Sequence, residues 1–381
     1  MNKRKILIIE NSIDITGALN SVVRTSTALG NQYDFVFVLP VGSKASSLVK
    51  EKGFRFFEIP MTELSKRMES VLFYVPNLIR SVYQVKRIIK NEQIDLVHVN
   101  DFYNLIMPLW RLFGSPVKYV CHVNFVPNRF PFLLRKLWIT SHLLFSEKII
   151  AVSRFVVKQL PTSHKVVCIY NSLPEQFNSR IENSDRRKVL LYVGNFMEGK
   201  GQDLAIRSFA LISKTYADWK LRLVGGDMGM NKNKMYQSSL INLVKDLSIE
   251  KQVEWSGFLN DPCIEYQDAS IALNFSKSES FSLTVQEAMF YRCPVVATRS
   301  GGPEELIEHN YSGLLVPVDD VTAMSEAMGY LIKNPNERSR IMACASESVT
   351  EKCSKKNTID RLDCVYQNIL DPKAKSSKSA S

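Results

Sequence analysis

Short apolar, β-branched runs alternate with longer stretches whose apolar positions recur at helical spacing, from the start of the chain to beyond residue 330. In the first half the pattern predicts strands at Lys5–Glu10, Phe35–Leu39, Arg55–Ile59, Leu96–Asn100, Val117–His122, Lys148–Val152 and Val166–Tyr170. Amphipathic helices are predicted between them, among others at Ala18–Leu29, Ala45–Lys52 and Met68–Lys90. A second series follows, with strands at Val189–Val193, Lys220–Val224, Val253–Ser256, Ile271–Phe275, Pro294–Ala297 and Gly313–Val316. Its helices are predicted near Gln202–Lys214, Lys234–Leu247, Leu283–Tyr291, Val321–Ile332 and Ile359–Leu370. The strands are apolar on both faces rather than alternating, as in parallel sheets covered by helices on each side. The expected class is α/β, with two Rossmann-like domains.

The polar stretch Asn171–Lys188, which carries Pro174 and a charged run at 185–188, breaks this rhythm. It divides the chain into an N-terminal domain at 1–172, a linker at 173–187 and a C-terminal domain at 188–350. A segment at 351–371 contains the last helix, and the Lys/Ser/Ala-rich tail at 372–381 has the composition of a disordered end. A chain of 381 residues is comfortable for two such domains.

No run approaches the roughly 18 apolar residues of a membrane-spanning helix, and the apolar run Ile6–Ile9 is too short for a signal segment. The seven cysteines show no C-x-x-C pair and no metal-ligand spacing with the five histidines. They imply a reducing, cytoplasmic setting, with neither a metal nor a disulfide framework. Charge changes the picture more. Residues 1–180 carry 24 Lys+Arg against 12 Asp+Glu, whereas the remainder is nearly balanced at 25 against 26. The first half therefore faces an anionic ligand or surface. No nucleic-acid recognition motif accompanies the charge.

In open α/β sheets ligands gather beyond the carboxyl ends of the strands, so residues there are the candidates. The first strand ends at Glu10, and Gly17 opens the following helix, where a glycine permits close approach of free amides to a phosphate. The spacing is not G-x-G-x-x-G, and a plain strand-to-helix turn explains it equally. In the second half, the loop Gly194–Gly201 carries Lys200, placed either to balance a diphosphate or simply to meet solvent. Beyond Phe275 a small polar loop carries Glu279, and the next helix carries Glu287 eight positions later. Carboxylates accept paired hydrogen bonds from vicinal hydroxyls, which suits a ribose and a hexose. The plainer readings are a solvated loop acid and a capping partner for Thr284. Gly301-Gly302-Pro303 forms a tight entry to a further helix beside this loop. His122 ends a strand, where it could meet a sugar hydroxyl or serve a structural role.

The segment Glu279–Glu287, with Glu287-Ala288-Met289, Cys293-Pro294-Val295-Val296-Ala297 and Gly301-Gly302-Pro303-Glu304 behind it, resembles the E-x7-E region of glycosyltransferase family 4. Lys200-Gly201 is similar to that family's Gly-Arg-(x4)-Lys-Gly loop, and Gly313–Val316 to its next strand. The resemblance runs from about residue 5 to 335, and it is more specific in the second half. It implies the GT-B fold, with two sheets facing across a cleft and a C-terminal helix at 351–371 returning to the N-terminal domain, and a retaining transfer of a hexose from a nucleotide-sugar donor. By the resemblance, Glu287 holds the donor ribose, Glu279 the sugar and Lys200 the diphosphate, while His122 lies near the transferred sugar and Gly17 lets its helix approach the phosphates. Phe281, Ser282 and Leu283 fall within the implied donor pocket. One position departs from the family: Asn195 stands where an arginine usually grips the diphosphate. The implied catalytic set is Glu279, His122 and Lys200, with no metal and no cofactor beyond the nucleotide-sugar co-substrate.

The resemblance gives acceptor recognition to the basic first half. There Arg129–Ile139 interleaves cations with large apolar residues, as does Ser65–Lys90. Such helices either face the core with solvated basic sides or lie on an anionic membrane, which would make the acceptor a lipid-linked saccharide used in cell-surface glycan assembly. Two other functions fit a similar donor pocket. They are a nucleotide-sugar epimerase of GT-B fold and a non-catalytic nucleotide-sugar-binding protein.

Overall fold

The computed structural model describes residues 3–61, 68–174 and 186–371, with the side chains of 68–73 excepted. The chain divides into two units, Met1–Ser172 together with Lys355–Ser381, and Leu173–Ser354.

In the first unit, seven strands form one parallel sheet among the described residues. They are β1 (Arg4–Glu10), β2 (Tyr33–Pro40), β3 (Arg55–Ile59), β4 (Leu96–Asn100), β5 (Lys118–Val123), β6 (Lys148–Ala151) and β7 (Val166–Cys168), in the spatial order β3-β2-β1-β4-β5-β6-β7. Each pairing is parallel. Ile6, Leu7, Ile8 and Ile9 are all buried, which accounts for the unbroken apolar runs in sequence. The order reverses beside β1, so the carboxyl ends of β1 and β4 form the topological switch point of this unit.

The last helix, Ile359–Leu370, belongs to this sheet's cover. Its apolar positions Ile359, Leu362, Tyr366 and Ile369 make one stripe, packed in the cluster that contains Leu19, Val22, Tyr33 and Phe37. Tyr33 donates to Asp363 at 2.5 Å, and Lys118 donates to the Ile369 carbonyl at 2.9 Å.

The second unit holds six parallel strands among the described residues. These are β8 (Arg187–Val193), β9 (Lys220–Val224), β10 (Val253–Gly257), β11 (Ala269–Asn274), β12 (Val295–Thr298) and β13 (Leu314–Val316), in the order β10-β9-β8-β11-β12-β13. Here the switch point lies between β8 and β11. The strands anticipated from the apolar runs all form, with ends displaced by at most two residues. The α/β class follows.

Two boundaries differ from the sequence reading. Arg187 already belongs to β8, and Arg186 donates to the carbonyls of Tyr266 and Ala269, both at 2.7 Å, so these residues are part of the second unit. Residues 175–185 of the linker, and the tail at 372–381, lie outside the described residues. Helix Pro335–Lys352 was not anticipated, because its apolar stripe is only Ile341, Met342, Ala345 and Val349 amid charged neighbours. It runs through residue 350. The stretch 351–371 is therefore not one helix, since the chain turns at 353–358 before Ile359. Among the described residues, no helix is long and apolar enough to cross a membrane.

Candidate active site

In the second unit, two loops leave the switch point side by side. The loop after β8 carries Asn195 and Lys200 and closes on Gly201, which caps helix Gln202–Ile212 with φ +84°. A Cβ at Gly201 would sit 2.1 Å from the Phe275 carbonyl oxygen, so glycine is required both by the backbone angle and by this approach. The loop after β11 is anchored on the first one. The Lys277 amide donates to the Gly199 carbonyl at 2.9 Å, and the Phe275 amide donates to the Tyr192 hydroxyl at 2.8 Å. Tyr192 in turn donates to the Lys200 carbonyl. The far side of the loop pairs with the segment after β12. The Glu279 amide donates to Ser300 and the Gly302 amide donates to the Glu279 carbonyl, each at 2.9 Å. Gly302 lies so close beneath Phe281 that a Cβ there would come within 2.5 Å of its backbone.

These anchors bring Lys200 and Glu279 into an ion pair of 2.8 Å. The Lys200 side chain is 30% exposed and that of Glu279 11%, so the pair borders solvent. Ser282 has φ +73° and ends the loop in a left-handed turn, its hydroxyl held by Asn274 at 3.1 Å. Helix Leu283–Phe290 starts there, and its first hydrogen bond runs from Gln286 to the Ser282 carbonyl. The amides of Leu283, Thr284 and Val285 precede that bond and have no intrahelical acceptor, which makes the helix start attractive to an anion. Glu287 sits on the same helix, half-buried. Asn195 is half-buried as well, and its carbonyl accepts from Gln202 at 3.0 Å. Phe281 lies on the loop after β11, directly before Ser282. Its ring is only 1% exposed and belongs to the interior, so what it can offer a ligand is backbone.

In the first unit, the last register positions of β1, β4 and β5 align Glu10, Asn100 and His122 in a row. Asn100 donates to Glu10, and reaches the Ala18 carbonyl at 3.5 Å at the start of the Gly17–Leu29 helix. Gly17 and His122 are thereby brought to one end of the sheet. Glu10 also accepts from the Ser12 amide at 2.8 Å and its hydroxyl at 2.6 Å, which shapes the loop leading to Thr16, the helix cap. Burial raises the Glu10 carboxyl above its ordinary value, against the lowering effect of these hydrogen bonds. Asp101 accepts from the amides of Asn124 and Phe125, both at 3.0 Å, and so fixes the turn just beyond His122.

His122 is 7% exposed. Its Nδ1 lies 3.2 Å from Nε2 of His98, and His98 Nδ1 lies 2.5 Å from the Tyr366 hydroxyl. Burial pulls His122 down to about 4. Its Nε2 has no hydrogen-bond partner among the described residues. Glu10, His98, Asn100, Asp101 and Tyr366 were not singled out from sequence. His98 and Asn100 carried a signal, being polar positions inside an apolar strand. Tyr366 carried none, since its helix lies far along the chain.

Two Rossmann-like units in one chain, each with its polar side chains at a switch point, define the GT-B architecture. The model of glycosyl transferases group 1 matches residues 174–347, and that of glycosyltransferase family 4 matches residues 15–176. The chain belongs to glycosyltransferase family 4. It is 26% identical over 339 residues to an uncharacterized glycosyltransferase of Haemophilus influenzae, covering 84% of this chain and 90% of that one. Over 298 residues it is 25% identical to the N-acetylgalactosamine-N,N'-diacetylbacillosaminyl-diphospho-undecaprenol 4-alpha-N-acetylgalactosaminyltransferase of Campylobacter jejuni, covering 74% of this chain and 79% of the relative. Among solved structures, Anabaena HepE in complex with UDP and glucose superposes with a TM-score of 0.78, at 18% identity, over 99% of this chain and all of the other.

Proposed function

We propose that this glycosyltransferase moves a hexose from a nucleoside-diphosphate donor to a saccharide or lipid-linked saccharide, with retention of anomeric configuration. The observation that carries the donor site is the meeting of Lys200 and Glu279 at 2.8 Å, beside the helix start at Leu283. An ammonium and a set of free amides suit a diphosphate, and the adjacent carboxylates suit hydroxyls. Glu287 then takes the ribose and Glu279 the sugar. Ser282, Leu283 and the Phe281 backbone wall the pocket and Asn195 borders the diphosphate, while Gly17 opens a helix of the first unit whose start suits a phosphate. A uridine donor gains support from the neighbour solved with UDP and glucose.

In the reaction so read, the bond from the anomeric carbon to the diphosphate oxygen breaks, and its electron pair leaves with the phosphate. Lys200 offsets the charge that develops there. The acceptor hydroxyl attacks the same face, and its proton passes to the departing phosphate oxygen. Positioning rather than a protein nucleophile supplies the acceleration. No metal or further cofactor is invoked.

The acceptor reading rests on the helix Phe132–Phe145. Phe132, Leu133, Leu137 and Leu144 are all more than half exposed beside Arg135 and Lys136, and Leu112 and Phe113 are exposed nearby. An exposed apolar row edged with cations suits peripheral attachment to the inner face of an anionic membrane, where lipid-linked saccharides for cell-surface glycans are found. The relative from Campylobacter, whose name specifies a diphospho-undecaprenol acceptor, supports that class.

The test has two stages. Thermal-shift and calorimetric titration with UDP, GDP, ADP and their sugars would identify the base, with Glu287→Ala as control. The transferase reading then requires a glycosylated product of the same anomeric configuration as the donor, on a lipid-linked acceptor. Interconversion of the donor sugar without an acceptor would establish an epimerase instead. Nucleotide binding without any turnover would leave a binding protein.

A further inference from the structure

We propose that Tyr366 and His98 lock His122 into the tautomer that carries its proton on Nε2, so that His122 offers the substrate a neutral hydrogen-bond donor. The inference rests on the proposed transferase function and on the place beside the transferred sugar that the family resemblance implies for His122.

The three side chains form one chain of contacts inside the first unit, from the terminal helix through β4 to β5. Tyr366, His98 and His122 are 1%, 0% and 7% exposed. Such a chain has two self-consistent proton arrangements as long as both imidazoles are neutral. In one, the Tyr366 hydroxyl donates to His98 Nδ1. His98 must then carry its proton on Nε2 and donate to His122 Nδ1, which leaves the His122 proton on Nε2. In the other, every hydrogen bond is reversed, and His122 Nε2 is a bare acceptor.

Tyr366 decides between them. In the reversed arrangement its oxygen accepts from His98, and its own buried proton must find another acceptor. Among the described residues His98 is the hydrogen-bond partner recorded for that hydroxyl, so the proton would be stranded away from water. The arrangement with tyrosine as donor satisfies the hydroxyl and both inner nitrogens. It leaves a single unmet group, the N–H at His122 Nε2, which is the atom without a partner. Burial lowers both histidines, and the nearness of His122 lowers His98 further, so neither takes a second proton at neutral pH. Burial also raises the tyrosine, so it keeps its proton.

A donor at this place binds an oxygen atom of the substrate. It takes no proton from the acceptor hydroxyl, which directs that proton to the phosphate. Tyr366 and His98 are positioning residues, acting through His122.

The test is long-range 1H–15N correlation spectroscopy of the ligand-free full chain, with 15N-labelled histidine, at pH 7. Assignment uses His98→Gln and His122→Gln. The expected result is the Nε2–H tautomer at both His98 and His122. In Tyr366→Phe, which keeps the ring and the packing, both signals should move towards a tautomeric mixture. Turnover should fall about tenfold through kcat, with KM little changed. A proton on His122 Nδ1 in the wild type overturns the inference, and so does an unchanged tautomer in Tyr366→Phe. If the wild-type tautomer is as stated but His122→Ala turns over normally, the lock stands and the substrate contact of His122 is what fails.

Discussion

The ammonium of Lys200 stands 2.8 Å from Oε1 of Glu279, although the two residues are separated by 79 positions in the chain. The contact exists because β8 and β11 are neighbours at the point where the strand order reverses. A diphosphate entering this site competes with Glu279 for the lysine. Glu279→Gln should therefore bind UDP more tightly, by about two- to fivefold, the worth of a solvent-bordered ion pair. Turnover with the intact sugar donor should fall in the same variant. Lys200→Ala should weaken UDP by about 30-fold, the loss of a charge-assisted contact. Isothermal titration of the three proteins checks this, and equal affinities would remove Lys200 from the diphosphate site.

Glu287 should act on the nucleoside and not on the phosphates. Glu287→Ala is expected to lose about 10- to 100-fold in affinity for UDP, as two hydrogen bonds to a charged group are removed. Inorganic diphosphate, which has no ribose, should bind both proteins alike. A parallel loss for both ligands would place Glu287 elsewhere.

Gly201→Ala should be among the most damaging substitutions in the second unit. The backbone there has φ +84°, and the new methyl would meet the Phe275 carbonyl at 2.1 Å. Relieving that clash must move either the lysine loop or β11, at a cost of about 3 kcal/mol or more. Urea denaturation measures the cost, and loss of UDP binding at low denaturant reports the displaced loop.

Arg222, on β9, is a structural counterpart to the site lysine. Its guanidinium bonds Glu265 at 2.7 Å, Glu254 at 2.8 Å and Asp268 at 3.0 Å, with 10% of the side chain exposed. Burial pulls the guanidinium down, but the bonds to Glu265, Glu254 and Asp268 leave it raised overall. Arg222→Ala strands Glu254 and Glu265, while Asp268 keeps Arg187 at 3.1 Å, and should destabilise the protein by about 2 kcal/mol, less than for a fully buried pair. UDP affinity at temperatures where the variant is folded should be unchanged.

His142 gives the fold a defined acid sensitivity. It is fully buried, and burial lowers it from 6.5 to about 4. Below pH 6.5 the unfolded chain takes up a proton that the native state refuses. Its contribution is thus intact above 6.5 and is lost as pH falls towards 4, with a slope of up to about 1.4 kcal/mol per pH unit. Denaturation midpoints between pH 7 and 4.5 should fall less steeply in His142→Gln than in the wild type. Parallel curves would show that His142 titrates normally.

Much of this molecule is written in short-range pattern. Val189–Val193 and Ile271–Phe275 read as strands because apolar residues fall on both faces, and the loops beyond them read as sites because polar residues cluster where an apolar run stops. Lys200, Glu279 and Glu287 were legible in that way, as was His122 at the end of β5. Tertiary structure alone decided which of these side chains meet. The strand order puts Lys200 against Glu279, and it turns the ring of Phe281 into the core. It also brings Tyr366, 244 positions after His122, into the same buried chain of hydrogen bonds through His98. The physical reason is range. Periodicity records which face of an element is covered, whereas the partner across a sheet is set by the order of strands and the return of the last helix, which leave no local mark.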